Sequence, residues 1–284
     1  MKKLIITADD YGMSKAVNEA IDSGIAVGLI TSTNVMTNMP YYQEACKLKN
    51  NPDLSVGIHW VLTCGKPVLS AEDIPTLVSQ NGDFYPYSEF CKRYRKKLIS
   101  NEDIKKELRA QYQRYVEIMG EPDYWNTHQN THVNFKIYRL FVDMALELGI
   151  KKMRSHQRLY VKSSNGKQST SLRWRLIEPV KAIMLNVWQG NAHKRGIASP
   201  DGVVVKMNSA DSDKLGYVFA NIKWKKNTIG EYVIHPATKQ DSPYFGGIVE
   251  KRIKEYHDFS DHKTKELIES NGIELTTFGS AVLK

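Results

Sequence analysis

Asp9 and Asp10 stand side by side where the apolar run LIIT ends, early in the chain. Adjacent carboxylates repel, and each disfavours the other's ionised form. A bound cation offsets that repulsion, so ADDYG is a candidate metal-binding turn. Other ligating or titratable groups recur along the chain: His59 inside GIHWVLT, His128 and His132 inside NTHQNTH, Arg154 at the end of KKMR, and His235 at the end of EYVIHP. A lone histidine on a strand is more often hydrogen-bonded and structural than a ligand. Taken together these residues outweigh that reading, because random placement would scatter them over helices as well. The remaining histidines give the contrast: His156 and His193 lie in or beside loop-like sequence, His257 and His262 in a charged helical stretch, and none is assigned a role.

The spacing in THQNTH has two readings. On a strand, His128, Asn130 and His132 face one side. On a helix, His128 and His132 also align, at i and i+4, as in HExxH metal sites. Asn126, Thr127 and Thr131 are poor helix formers, and no glutamate follows the first histidine, so the extended reading is preferred. It puts His128 deepest and His132 nearer a substrate.

The elements that carry these groups alternate. KLIITAD reads as a strand. A helix follows from Ser14, which caps it, with Val17, Ala20, Ile21 and Ile25 on one face and Gly28 at its end. Residues 31–39 are β-branched and alternating, YYQEACKLKN is a short helix, and residues 55–64 are a strand again. Residues 65–100, with prolines, glycines and aromatics, read as a long loop or insertion near a ligand. A helix over 101–119, capped by Asn101, leads to a strand at YWNTHQNTHVNF. A helix over 136–149 and a short strand KKMRS come next. Residues 160–170 read as a mobile loop, 171–188 as a helix and DGVVVKM as a strand. Ser209 opens another helix, EYVIHP ends another strand, and 244–271 hold one or two helices before IELTTF. This order implies a parallel sheet with right-handed crossovers. No composition shift marks a linker, so residues 1–284 are expected to form one domain: an α/β, irregular (β/α) TIM-like barrel with a long insertion after the third strand. Chemistry in such barrels sits at the C-terminal strand ends, where the polar groups fall.

Composition bounds the rest. Of 284 residues, 41% are apolar and 25% charged, ordinary for a globular core. No apolar run approaches the ~20 residues of a membrane helix. MKKLIITADD is too short in its apolar part for a signal peptide, and a cytoplasmic protein is expected. Cys46, Cys64 and Cys91 form no CxxC pair and read as reduced thiols. The net charge of +9 is spread over short runs such as RYRKK and KWKK. No nucleic-acid-binding motif accompanies them, and a solvated basic surface is the expectation.

ADDYG, TSTNVM, GIHWVLTCGKP, THQNTH and a late HPA, in this order, resemble the YdjC/ChbG family of carbohydrate deacetylases. The resemblance runs from about residue 4 to about residue 255. It implies an irregular (β/α) barrel that removes acetyl groups from N-acetylated sugars such as chitooligosaccharides. By that resemblance Asp10, His59 and His128 hold a divalent metal, Asp9 is the general base, His235 the general acid, and Arg154 holds Asp9 or the substrate. Asp241, after HPA, is a weaker carry-over as a partner of His235 or substrate. One departure stands out: the family usually has SHQHVH or SHHHVH, and the middle histidine is Asn130 here. If that position touches sugar, specificity differs from chitooligosaccharide.

The chemistry agrees with the resemblance. One carboxylate and two imidazoles leave open positions, as catalysis requires. Zinc, or another imidazole-binding ion, suits this set better than magnesium, which comes second. Such a metal lowers the pKa of bound water from ~15.7 to roughly 7. The departing amine needs a proton, which suits His235. Trp60, Trp125 and Tyr11 are placed to line a sugar pocket, although each could equally be an ordinary core aromatic. Tyr85 and Tyr87 could form a lid or a partner surface. Two other readings stay open: a barrel metallohydrolase acting on a phosphate ester or another acyl group, and a binding protein with a structural metal. The expected partner is an acetylated oligosaccharide, not nucleic acid or membrane. Family members are often dimers, so a homodimer is an expectation of the resemblance.

Overall fold

The computed structural model describes residues 1–133, 137–162, 172–205 and 214–284. The Ser/Lys/Gly-rich run ending at 170 and the helix start expected at Ser209 lie largely outside these residues.

The first unit forms for the reasons legible in its sequence. β1 (Lys2–Tyr11) is buried from Leu4 onward on both faces, as a central parallel strand must be. Ser14 Oγ accepts from Val17 N at 3.3 Å and opens α1 (Lys15–Ala26), and Gly28, at φ 69°, ends the unit in a conformation glycine adopts freely. β2 (Ser32–Val35), a 3-10 helical segment Tyr42–Leu48, and β3 (Ser55–Trp60) follow. β2 and β3 are shorter than the expected strands over 31–39 and 55–64, whereas β1 runs on to Tyr11, beyond KLIITAD. After β3 the chain runs through turns to α2 (Tyr87–Arg95) and α3 (Asn101–Met119). α3 is capped by the Ser100 hydroxyl, not by Asn101.

The second half comprises β4 (Trp125–Thr127), α4 (Tyr138–Glu147), β5 (Arg158–Tyr160), α5 (Leu172–Lys194), β6 (Gly202–Val205), α6 (Leu215–Asn221), β7 (Thr228–Ile234), α7 (Val249–Phe259), α8 (His262–Ser270) and β8 (Ile273–Leu275). Among the described residues these strands pair in parallel, in the order β4-β3-β2-β1-β7-β6-β5, with β8 also on β1. Single parallel bridges, Trp125–Met153 and Lys152–Ala198, continue the pairing past β4. KKMRS therefore contributes bridges rather than a strand, and β5 lies a few residues later. The result is a parallel, barrel-like α/β fold whose C-terminal strand ends open on one side.

Candidate active site

Successive residues of a regular strand point to opposite faces. Asp9 and Asp10 nevertheless line one cavity. The pairing of β1 with β2 shifts register between Ala8 and Tyr11, and Asp10 takes φ 77°. This irregularity bends the strand end and brings both carboxylates to the same side. The turn continues through Gly12, whose φ of 97° and 3.2 Å approach of the Met36 carbonyl to a hypothetical Cβ require glycine.

The carboxylates have separate surroundings. Asp10 Oδ1 lies 3.3 Å from His59 Nε2, at the end of β3, and 3.1 Å from His128 Nδ1, just past β4. Its Oδ2 accepts from Arg252 Nη2 at 2.5 Å. Asp9 accepts from both Arg154 terminal nitrogens, at 2.7 and 2.6 Å, and from Asn34 Nδ2 at 2.6 Å. Arg154 Nε in turn donates to Glu231 Oε1 at 3.0 Å. His235 Nε2, beyond β7, stands 3.7 Å from Asp9 Oδ2. Neutralising partners therefore reach each carboxylate from a different direction, which settles the repulsion between the neighbours.

Charge and burial set the protonation states. Burial alone would raise the Asp9 carboxyl, but the Arg154 guanidinium holds it well below the usual carboxylate range. Asp10 is likewise held low, against burial, by Arg252 and His128. Burial pulls His128 down, yet the Asp10 charge raises it to about 9 in the metal-free protein. Burial lowers His235, partly countered by both aspartates. The structural arrangement is thus rich in fixed charge and nearly closed to water on its inner side.

Among the described residues, Asp10, His59 and His128 offer ligand atoms within 4.8 Å of one another. One carboxylate oxygen and two imidazole nitrogens match the donor chemistry of a divalent transition ion. The Asn126 amide lies 2.5 Å from His59 Nδ1. With its oxygen toward the ring, Nδ1 carries the proton and Nε2 keeps its lone pair for an ion. Turned over, that oxygen would instead accept from Arg154 and Asn34 at 3.0 Å. Ion binding requires the first orientation.

The cavity measures ≈ 520 Å³, in the range of small-molecule sites. Asp9, Asp10, His59, His128, Arg154 and His235 all line it. The weaker sequence expectations are placed elsewhere. Trp60 is fully buried, donates Nε1 to the Leu108 carbonyl at 3.2 Å, and packs on Trp125 and Phe141. Tyr11 is buried with its hydroxyl on Asp22 at 3.2 Å. His132 is buried against Trp125 and bonds Thr127 Oγ1 at 2.6 Å. Asp241 accepts from Ala16 N at 2.8 Å, at the start of α1, rather than meeting His235. None of these residues is in the cavity lining. The aromatics that line it are Tyr244, 42% exposed, and Phe245. Asn130, exposed and at φ 51°, also lines the cavity, so the departure from the family pattern falls on its wall.

The sequence reading missed Asn34, Asn126, Glu231 and Arg252. Glu231 left a signal, being an acid inside the apolar strand TIGEYVI. Arg252 left a fainter one: it shares a spacing of three and four with Glu255 and Phe259, the buried face of α7.

Fold and site together define a parallel, barrel-like α/β protein with a carboxylate–imidazole cluster at its strand ends. A profile described as "YdjC-like protein" matches residues 3–270, and the chain belongs to that family. A carbohydrate deacetylase of Geobacillus stearothermophilus is 37% identical over 142 residues, covering 50% of this chain and 55% of that protein. The chain's match thus spans about half the length of such curated relatives. A chitooligosaccharide deacetylase of Proteus mirabilis is 24% identical over 97% of each chain. The crystal structure of an Enterococcus faecalis V583 protein, named for cellobiose-phosphate cleavage, superposes with a TM-score of 0.73, 26% identity and 98% coverage of both chains.

Proposed function

We propose that this protein is a metal-dependent hydrolase that removes acetyl groups from N-acetylated, chitooligosaccharide-like sugars. The supporting observation is the convergence of Asp10, His59 and His128 on one cavity that also holds Asp9 and His235. The family and the names of its relatives supply the substrate class. Asp10, His59 and His128 would hold the ion, with zinc favoured by the two imidazoles and magnesium second. When bound, it would supply Lewis-acid polarisation of the acetyl carbonyl and of water.

The chain's own residues then divide the proton work. Asp9, kept ionised by Arg154, accepts a proton from the attacking water. Hydroxide adds to the amide carbon and the C–N bond breaks. The departing nitrogen takes a proton from His235, because an amide anion is too poor a leaving group to depart unprotonated. His235 must regain a proton in each turnover. Asp9 Oδ2, at 3.7 Å, is the neighbouring source. Arg154, bonded on its other side to Glu231, fixes the Asp9 carboxylate plane. Tyr244 and Asn130, on the wall, are placed to meet the sugar. In this proposal residues 1–284 act as one catalytic domain in the cytoplasm. No helix among the described residues is long and apolar enough to cross a membrane.

Acetate release from diacetylchitobiose tests this. It should disappear on chelation, return with zinc, and be lost in Asp9→Asn. Phosphate release from a model ester, without acetate release, would transfer the site to a different hydrolase class. Metal binding without any hydrolysis would leave only a binding protein.

A further inference from the structure

Arg252 is 2% exposed in an otherwise charged helix. A buried guanidinium is strongly unfavourable unless paired. Its Nη2 donates to Asp10 Oδ2 at 2.5 Å, its Nη1 reaches the His235 carbonyl at 3.4 Å, and its Cζ lies 4.7 Å from the centre of the Phe245 ring. Three residues on, Glu255 accepts the His235 backbone N–H at 2.8 Å. Residues three apart share a helix face. One turn of α7 therefore grips the Asp10 carboxylate and both polar groups of the His235 backbone.

We propose that Arg252 is a positioning residue that reserves Asp10 Oδ2, so that the carboxylate offers the cluster one oxygen, Oδ1. The proposal rests on the reading of Asp10, His59 and His128 as metal ligands. A carboxylate with both oxygens free can bind an ion through both, which fills a position that catalysis needs open. Oδ1 is the oxygen that faces His59 and His128, and Oδ2 is the one taken by the guanidinium. Phe245 and the His235 carbonyl brace Arg252 from two further sides, which holds its guanidinium against Oδ2. The same helix thereby sets the spacing between the cluster and His235.

Cobalt(II) serves as the probe, titrated into the wild type, Arg252→Met, Arg252→Gln and Arg252→Lys, with circular dichroism to check folding. The wild type should show strong visible d–d bands, the mark of low coordination. Arg252→Met and Arg252→Gln should show clearly weaker bands as Oδ2 joins the ion, with kcat for acetate release down about 10–100-fold and KM changed less. Arg252→Lys, long enough to reach Oδ2, should restore the bands. Wild-type bands in a folded Arg252→Met or Arg252→Gln protein would overturn the proposal. X-ray absorption of the zinc-loaded wild type needs no variant, and a carboxylate bound there through both oxygens would also overturn it. Failure of the wild type to bind cobalt or zinc at all would instead sink the ligand reading on which the proposal stands.

Discussion

As a proposed metal ligand, His128 ties the chemistry of the site to a single proton. In the metal-free protein the Asp10 charge, working against burial, raises it to about 9. A cation competes with that proton for Nδ1. Metal affinity should therefore rise with pH, by up to about tenfold per unit, and level off above the His128 pKa. Zinc titrations by calorimetry in buffers of different ionisation enthalpy would show the released proton directly, and a pH-independent affinity would contradict the assignment. Arg154 makes a second residue-scale case. It lies between Asp9 and Glu231, all three buried. Arg154→Ala would leave two carboxylates without their counter-charge and should cost about 3–5 kcal/mol in urea denaturation. A loss within the scatter of surface mutations would mean that the pair is not needed for stability.

The elements decide which side chains reach the cavity. β1 can present adjacent aspartates together only because its end is irregular and Asp10 accepts a left-handed φ. Trp60 sits on a strand buried on both faces, and its ring points into the packing with Trp125 and Phe141. The segment Pro243–Ile248, between β7 and α7, instead brings Tyr244 to the opening. The two aromatics should respond differently to truncation. Trp60→Ala should lower stability by about 3–5 kcal/mol through cavity formation. Tyr244→Ala should leave stability within about 0.5 kcal/mol and raise KM for the proposed sugar substrate. The reverse pattern would return Trp60 to the pocket and Tyr244 to the scaffold.

For the molecule as a whole, the buried histidines set the response to acid. Burial, with the charge of Arg154 beside it, holds His156 down at about 3, and burial holds His132 well below its ordinary value. The unfolded chain protonates both near ~6.5 while the folded chain does not. Stability should fall as pH drops from about 6.5 towards 4, by up to about 1.4 kcal/mol per unit for each histidine. Metal-free His128 acts in the opposite sense: its stabilisation is fully present below about 6.5 and is lost as pH rises through its raised folded pKa. Thermal melts of chelated protein across this range should show an interior maximum. A flat profile below pH 6.5 would mean that His132 and His156 are not held neutral.

The sequence by itself determined the strand–helix alternation, hence parallel strands, and put Asp10, His59, His128, Arg154 and His235 at or beside strand ends. A parallel sheet collects those ends on one side, so the meeting of these groups was readable without coordinates. Tertiary structure alone decided which partners neutralise them and which aromatics face the cavity. Arg252 and Glu231 lie far along the chain from Asp9 and Asp10, and the local signals they leave, an acid inside an apolar strand and a shared helix face with Glu255 and Phe259, mark burial without telling which charged partner each one meets. Trp60 and Tyr11 lie on strands that are buried on both faces, where the alternation that tells inside from outside is lost. Only the packing of helices around those strands fixes where each side chain ends.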